Sequence, residues 1–368
     1  MAKNLGFLIV IAMGFFIWGL GAGVYHIFPY DVIFEIKNSI LSDNKEKIEF
    51  NILTNDLESL IHISNKNDID TKRNSLITYI WKENSLPNHQ PNSIETNVVD
   101  DRYDLSNLKS IDKITIIMKN NVQSISYFFT PENSNNRLII YHQGHAGDFI
   151  LGKETIQYFL DNNYSVLAFS MPLTGLNNQP IIDDPNFGKI EINLHEEFKF
   201  LESDDFSTIS YFVEPIVISL NYLDENYDFE SYDFVGISGG GWTAVLYAAI
   251  DDRIDKSFSI AGSSPFYLRA IPENFGDYEQ HLPELYRIAN YLELYILASH
   301  GEKRELIQVF NKYDPCCFSG DIYLDYEPII SEKLSYLGPG SFQIFIDDSH
   351  NEHKISKNTL NFILKSLQ

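Results

Sequence analysis

The sequence predicts an α/β protein, a mostly parallel central sheet with helices on both faces, preceded by an N-terminal transmembrane helix. Three observations predict it. From residue 111 onward, short apolar runs bounded by turn residues alternate with helical stretches, the pattern of a parallel sheet covered on both sides. At 232–242 the run Tyr-Asp-Phe-Val-Gly-Ile-Ser-Gly-Gly-Gly-Trp reads as a strand entering a glycine-crowded turn around Ser238, with an apolar helix at 243–250 behind it. Residues 5–28 form an uncharged, largely apolar run.

Composition bounds the reading. With 368 residues, 44% of them hydrophobic, the chain can bury a sizeable core. A formal net charge of −24 repels phosphate backbones and argues against a nucleic-acid partner. The two cysteines, Cys316 and Cys317, are adjacent, so they give no disulfide framework and are expected to pack as small apolar side chains.

Taken in order, 1–30 is expected to be a membrane anchor. As a helix the run 5–28 spans about 36 Å against a hydrocarbon core of about 30 Å. It exceeds the roughly 7–15 apolar residues of a signal peptide, the competing reading. Tyr25, His26 and Tyr30 gather at its far end as interfacial residues do. Lys3 and the amino terminus precede it whereas Asp31 and Glu35 follow, which places the bulk of the chain outside the cytoplasm in a single-pass arrangement. Residues 31–110 read as a helical stalk and packing extension, with helices at 31–41 and 73–81 and polar connections such as 64–70.

Residues 111–368 carry the main domain. Strands are expected at 111–118 and 122–130, joined across Lys119-Asn120-Asn121, and at 137–141, ending in His142-Gln143-Gly144-His145. A helix at 149–160, a strand at 165–170 and a long helix at 205–223 lead to the Ser238 strand. Strands at 256–261, 305–311 and 342–347 complete the sheet. The stretch 265–301 is longer than an ordinary connection and reads as a cap-like insertion with an aromatic helical run at 282–297. Ligands of such sheets sit beyond the carboxyl ends of the strands. That makes Tyr278 of the insertion, His142 after the 137–141 strand and Trp242 after the serine turn candidate substrate contacts.

From 111 to the C-terminus the chain resembles the α/β-hydrolase family. The resemblance is carried by the antiparallel start, the glycine-bearing loop after 137–141, the elbow Gly236-x-Ser238-x-Gly240, and an acid and a histidine in the order Ser, Asp, His. It implies that Ser238 is the nucleophile and that the Gly239 N–H and the loop Gln143-Gly144-His145, most directly the His145 N–H, form an oxyanion hole. The acid is sought after 305–311, where Asp314 of Tyr313-Asp314-Pro315 stands; Asp321 and Asp325 are lesser candidates, and a turn or cap role for Asp314 is the plain alternative. For the base, His353 leads into an amphipathic stretch at 354–364, and His350 is the alternate. His142-x-x-His145 and His350-x-x-His353 have metal-like spacing, but simpler uses are expected of both, and the resemblance implies neither metal nor cofactor. His195 reads as a surface or capping residue. The function so implied is a membrane-anchored serine hydrolase cleaving an ester, thioester or amide through an acyl-enzyme, foremost a carboxylic ester, with a small or lipid-like acyl substrate. An acyltransferase using the same intermediate and a non-catalytic binding protein on the same fold are the rivals.

Overall fold

In the computed structural model, which describes Trp18 and residues 54–269, 275–319 and 322–368, the central strands send alternate side chains to two apolar layers. Leu138 and Ile140 of one strand enter the layer that holds Trp242 and Tyr247, while Ile139 and Tyr141 enter the layer that holds Phe159 and Ile363. Such strands are buried on both faces and read as continuous apolar runs.

The elements run α1 (Lys66–Trp81), β1 (Ser93–Glu95), β2 (Leu108–Ile117), β3 (Gln123–Pro131), β4 (Arg137–His142), α2 (Lys153–Asp161), β5 (Ser165–Phe169), the small hairpin β6 (Ile181–Asp184) and β7 (Gly188–Glu191), α3 (Ser210–Asn226), β8 (Ser231–Ile237) and α4 (Gly239–Ile250). Next come β9 (Ile254–Ile260), the short α5 (Tyr278–His281) and α6 (Pro283–Ile288), α7 (Tyr291–Ser299), β10 (Glu305–Asn311), α8 (Glu327–Leu337), β11 (Ser341–Asp347) and α9 (Lys357–Leu367). Nine strands make one sheet in the order β1-β2-β3-β5-β4-β8-β9-β10-β11. The pairs β1/β2, β2/β3 and β3/β5 are antiparallel, and every pair from β5/β4 to β10/β11 is parallel. Each parallel step needs a crossover, so the loops after β4, β8, β10 and β11 emerge along one edge of the sheet.

Two expectations change. Residues 54–110 are not a stalk: α1 buries Ile69, Leu76, Ile77 and Ile80 in the same layer as Trp242, β1 extends the sheet, and Leu53–Gln368 is one contact unit. The polar run before residue 73 hid the first turn of α1, because those residues cap rather than pack. Asn65 accepts the Asn67 and Asp68 N–H groups at 2.9 and 3.2 Å, and Asp68 accepts the Asn65 N–H at 3.2 Å. The insertion at 265–301 is only partly a cap, since every residue of α7 is buried and α7 packs on α4 as a covering helix of the sheet. The expected anchor at 5–28, Trp18 apart, and the helix at 31–41 lie outside the described residues. Among the described residues no helix is long and apolar enough to cross a membrane.

Candidate active site

Ser238 joins β8 to α4 with φ 56° and ψ −127°, a conformation that side chains other than glycine rarely adopt and that costs on the order of 1–3 kcal/mol. Its surroundings hold it there. The Ser238 N–H donates to the Ile260 carbonyl at 2.8 Å, and the Ser238 carbonyl accepts the Gly241 and Trp242 N–H groups at 2.8 and 3.1 Å, opening the helix. Glycine is required where other backbone passes closest: a Cβ on Gly240 would sit 2.2 Å from the His142 carbonyl oxygen, and one on Gly144 would sit 2.5 Å from the Ser238 Cβ. The loop after β4 therefore lies directly against the serine. It brings Gly144 and His145 beside Gly239, the first residue of α4, where helix N–H groups lack intrahelical partners.

Asp314 and His353 meet beyond β10 and β11. His353 Nδ1 lies 2.7 Å from Asp314 Oδ2, leaving Nε2 to act on a proton. Asp314 Oδ1 also accepts the Cys316 and Cys317 N–H groups at 2.8 and 3.4 Å. Burial opposes ionisation of this carboxyl, but the hydrogen bond and charge of His353 and the two N–H groups outweigh it, holding Asp314 below its ordinary range. Among the described residues His353 bonds to Asp314 and not to Ser238; nucleophile–base contacts of this kind are often loose before substrate binds. His350, the alternate, sits 3.5 Å from Asp347 and away from Asp314. Asp325 is exposed in the turn Ile322–Asp325, and Asp321 lies outside the described residues. One organiser escaped the sequence reading. Asp347, fully buried at the end of β11, accepts the Ser349 N–H at 3.0 Å and the Thr359 hydroxyl at 2.7 Å, and bonds Ser356, the N-cap of α9. The loop that presents His353 is tied down at both ends. The cysteines also differ from expectation: they are joined in a disulfide, with Cys316 exposed and Cys317 half-buried beside the acid.

The three expected substrate contacts are core residues. His142 is 2% exposed, its ring stacked between Phe169 and Phe234, and its Nδ1–H donates to the Gln143 carbonyl at 2.8 Å. Trp242 is 1% exposed and donates Nε1–H to the Tyr286 hydroxyl at 2.7 Å, and Tyr278 is buried as well. They were misassigned because standing on a loop or helix next to the serine site says nothing of direction: the His142 ring turns between Phe169 and Phe234, and Trp242 points from α4 into the apolar layer. The insertion does line a cavity of about 410 Å³, walled by Pro265, Phe266, Tyr267, Tyr286 and Tyr291 together with Leu60, none of them from the serine site.

His195 is the largest departure. Far from a surface residue, it is 8% exposed, and Glu279 bridges it to His145: His145 Nε2 lies 2.8 Å from Glu279 Oε1 and His195 Nδ1 lies 3.2 Å from Glu279 Oε2. Asp277 Oδ2 is also 2.8 Å from His145 Nε2. Burial opposes the charged form of Glu279, yet the two histidines outweigh it and lower its pKa; His145 in turn is held up at about 10 by the two carboxylates against its own burial. The sequence separations of 134 and 84 residues left no local signal for this cluster.

No protein-family model and no curated protein matches the chain. Solved structures share its fold. The glucuronoyl esterase from Solibacter usitatus aligns with 83% of this chain and 93% of its own at 12% identity and a TM-score of 0.53. An acetyl xylan esterase from Paenibacillus sp. R4 aligns over 84% and 97% at 15% identity and 0.52, and acetyl xylan esterase 1 from Thermoanaerobacterium sp. JW/SL YS485 over 84% and 97% at 12% and 0.51. With the sheet order and the serine elbow, these likenesses define the class: the chain has the α/β-hydrolase fold.

His142 gives the site a pH signature. Burial favours its neutral form and pushes its pKa down from 6.5 to about 4, so its contribution to stability is intact above pH 6.5 and is lost as pH falls towards 4. The shift corresponds to about 3 kcal/mol. His142→Asn, which cannot titrate there, should flatten the loss of denaturant stability across that window relative to wild type; an unchanged slope would show that His142 does not carry it.

Proposed function

We propose that this chain is a serine hydrolase of carboxylic esters acting through an acyl-enzyme, with Ser238 as nucleophile, His353 as base and Asp314 as its orienting acid. The observation that carries the reading is the 2.7 Å pairing of His353 Nδ1 with Asp314 Oδ2 on the sheet edge where Ser238 stands in an elbow conformation. In this reading Ser238 Oγ attacks the ester carbonyl while His353 Nε2 takes its proton, and Asp314 stabilises the resulting imidazolium. The tetrahedral oxyanion is held by the N–H groups of Gly239 and His145, aimed where charge develops. His353 then returns the proton to the departing alcohol, and a water activated by the same nitrogen releases the acid. The fold relatives, acetyl xylan and glucuronoyl esterases, favour an ester over an amide or thioester. The triad residues need no cofactor for these steps.

A fluorophosphonate should label the wild-type chain and not Ser238→Ala, and turnover of p-nitrophenyl esters should fall roughly 10⁴-fold or more in that variant. His353→Ala should lose essentially all turnover while His350→Ala keeps a measurable fraction. Labelling that persists without Ser238 would move the chemistry elsewhere, the reverse ranking of histidines would transfer the base to His350, and acyl transfer to added alcohols in preference to water would make the enzyme an acyltransferase.

We also propose that residues 5–28 anchor the chain in a membrane as a single-pass helix, with the hydrolase unit outside the cytoplasm. The support is the uncharged run and the charge bias around it. Carbonate washing should leave the chain in the membrane pellet, and protease added outside should reach it. A mature N-terminus beginning near Val24 would contradict the anchor.

A further inference from the structure

Four side chains from three separate segments converge beside the serine loop: His145 after β4, His195 before α3, and Asp277 and Glu279 at the start of α5. One ligand atom from each lies within 4.8 Å of all the others. We propose that His145 Nε2, His195 Nδ1, Asp277 and Glu279 bind one divalent transition-metal ion, Zn²⁺ by the donor set, which clamps the segment at 275–281 to the loop after β4.

The proton inventory calls for cations at this cluster. His195 Nε2 lies 3.0 Å from the Pro172 carbonyl, an acceptor only, so that nitrogen carries a proton, and Nδ1, 3.2 Å from Glu279 Oε2, is left to hold either a second proton or a metal ion. A bare lone pair there would repel the carboxylate, so Nδ1 must bind a cation, a metal ion or a proton. His145 faces two carboxylate oxygens, each at 2.8 Å, with one nitrogen, which offers a single N–H to two acceptors. Among the described residues no lysine or arginine pairs with Asp277 or Glu279, and the Glu279 side chain is fully buried. A buried carboxylate demands a cation.

The geometry agrees. Tetrahedral Zn²⁺ with bonds of about 2.0–2.1 Å spaces its ligand atoms about 3.3–3.4 Å apart. Three of the six separations are 2.8, 2.8 and 3.2 Å, the last to the second Glu279 oxygen, and all four ligand atoms lie within 4.8 Å of one another, so closing on one ion takes side-chain shifts of up to about 1 Å. The histidines are aimed as metal ligands are: the carbonyl bond fixes the His195 tautomer, and its ring stacks on Phe198 and meets the edge of Phe212. The His145 ring lies over Gly239, where a Cβ would come within 2.3 Å of it. Two imidazoles with two carboxylates suit Zn²⁺ rather than Ca²⁺ or Mg²⁺, which take oxygen ligands. With four protein ligands the site is closed, so the ion is structural. Its effect on ester turnover rests on the serine reading, because His145 lies in the loop assigned to the oxyanion.

The rival account is proton-only: two imidazolium ions neutralising the two carboxylates. The full chain, purified without chelator, should hold about one Zn²⁺ by elemental analysis. Removing the ion with chelator should lower the melting midpoint by about 3–5 °C, restored by micromolar Zn²⁺ and not by millimolar Mg²⁺ or Ca²⁺. Co²⁺ should give the visible bands of a tetrahedral site. Half-exposed Asp277→Asn should weaken Zn²⁺ binding about tenfold or more, and His195→Gln likewise. Ser238→Ala should bind Zn²⁺ as wild type does, so failure of the serine chemistry and failure of the metal site read out separately. A wild-type chain that shows no Zn²⁺ and no thermal response to it overturns the proposal in favour of the imidazolium pair. Binding that survives both Asp277→Asn and His195→Gln overturns it too.

Discussion

The strained backbone of Ser238 is the constraint on which the rest of the molecule depends. A side chain held at φ 56° relaxes unless its neighbours over-determine it. Here one strand supplies the acceptor for its N–H, a helix begins from its carbonyl, and the loop after β4 packs against its Cβ through Gly144. Each contact belongs to a different element. The order of strands at the centre of the sheet, β4-β8-β9, is what brings those elements to one point, and α4, buried along its whole length, locks the arrangement into the core.

The other two members of the constellation are placed by the same sheet. Parallel β10 and β11 pair in register from Glu305 with Ser341 to Asn311 with Asp347, so the loops that follow them leave side by side. Asp314 and His353 are thereby within hydrogen-bond reach across 39 residues of sequence. Asp347 adds the second half of the device. By bonding Ser349, Ser356 and Thr359 it fixes both the exit from β11 and the entry to α9, and the histidine is carried between two pinned ends.

Much of this was legible because it is local. The elbow couples a strand, a glycine turn and a helix within about twenty residues, and Asp314 follows the buried strand β10 and His353 the half-buried edge strand β11, both of which the apolar pattern reveals. What the sequence concealed is what depends on direction or distance. His142 and Trp242 neighbour the serine turn yet point into the apolar layers, and no pattern of types distinguishes that from facing a substrate. The polar opening of α1 looks like a connection because its first turn is made of capping residues. The cluster of His145, His195, Asp277 and Glu279 joins three segments that only the folded sheet brings together, so His195, alone in a polar stretch, resembled a surface residue.

Through charged groups, those long-range contacts tie the segment at 275–281, anchored in the core by Tyr278, to the loop that faces Ser238. The floor of the site is the elbow itself, and the central claim is that covalent chemistry happens there. Rapid acid quench during turnover of a p-nitrophenyl ester, followed by peptide mass spectrometry, tests it most directly. The account predicts an acyl mass on the peptide that contains Ser238, appearing in step with a burst of p-nitrophenol. Turnover without any acyl adduct, or an adduct confined to another residue, would contradict it.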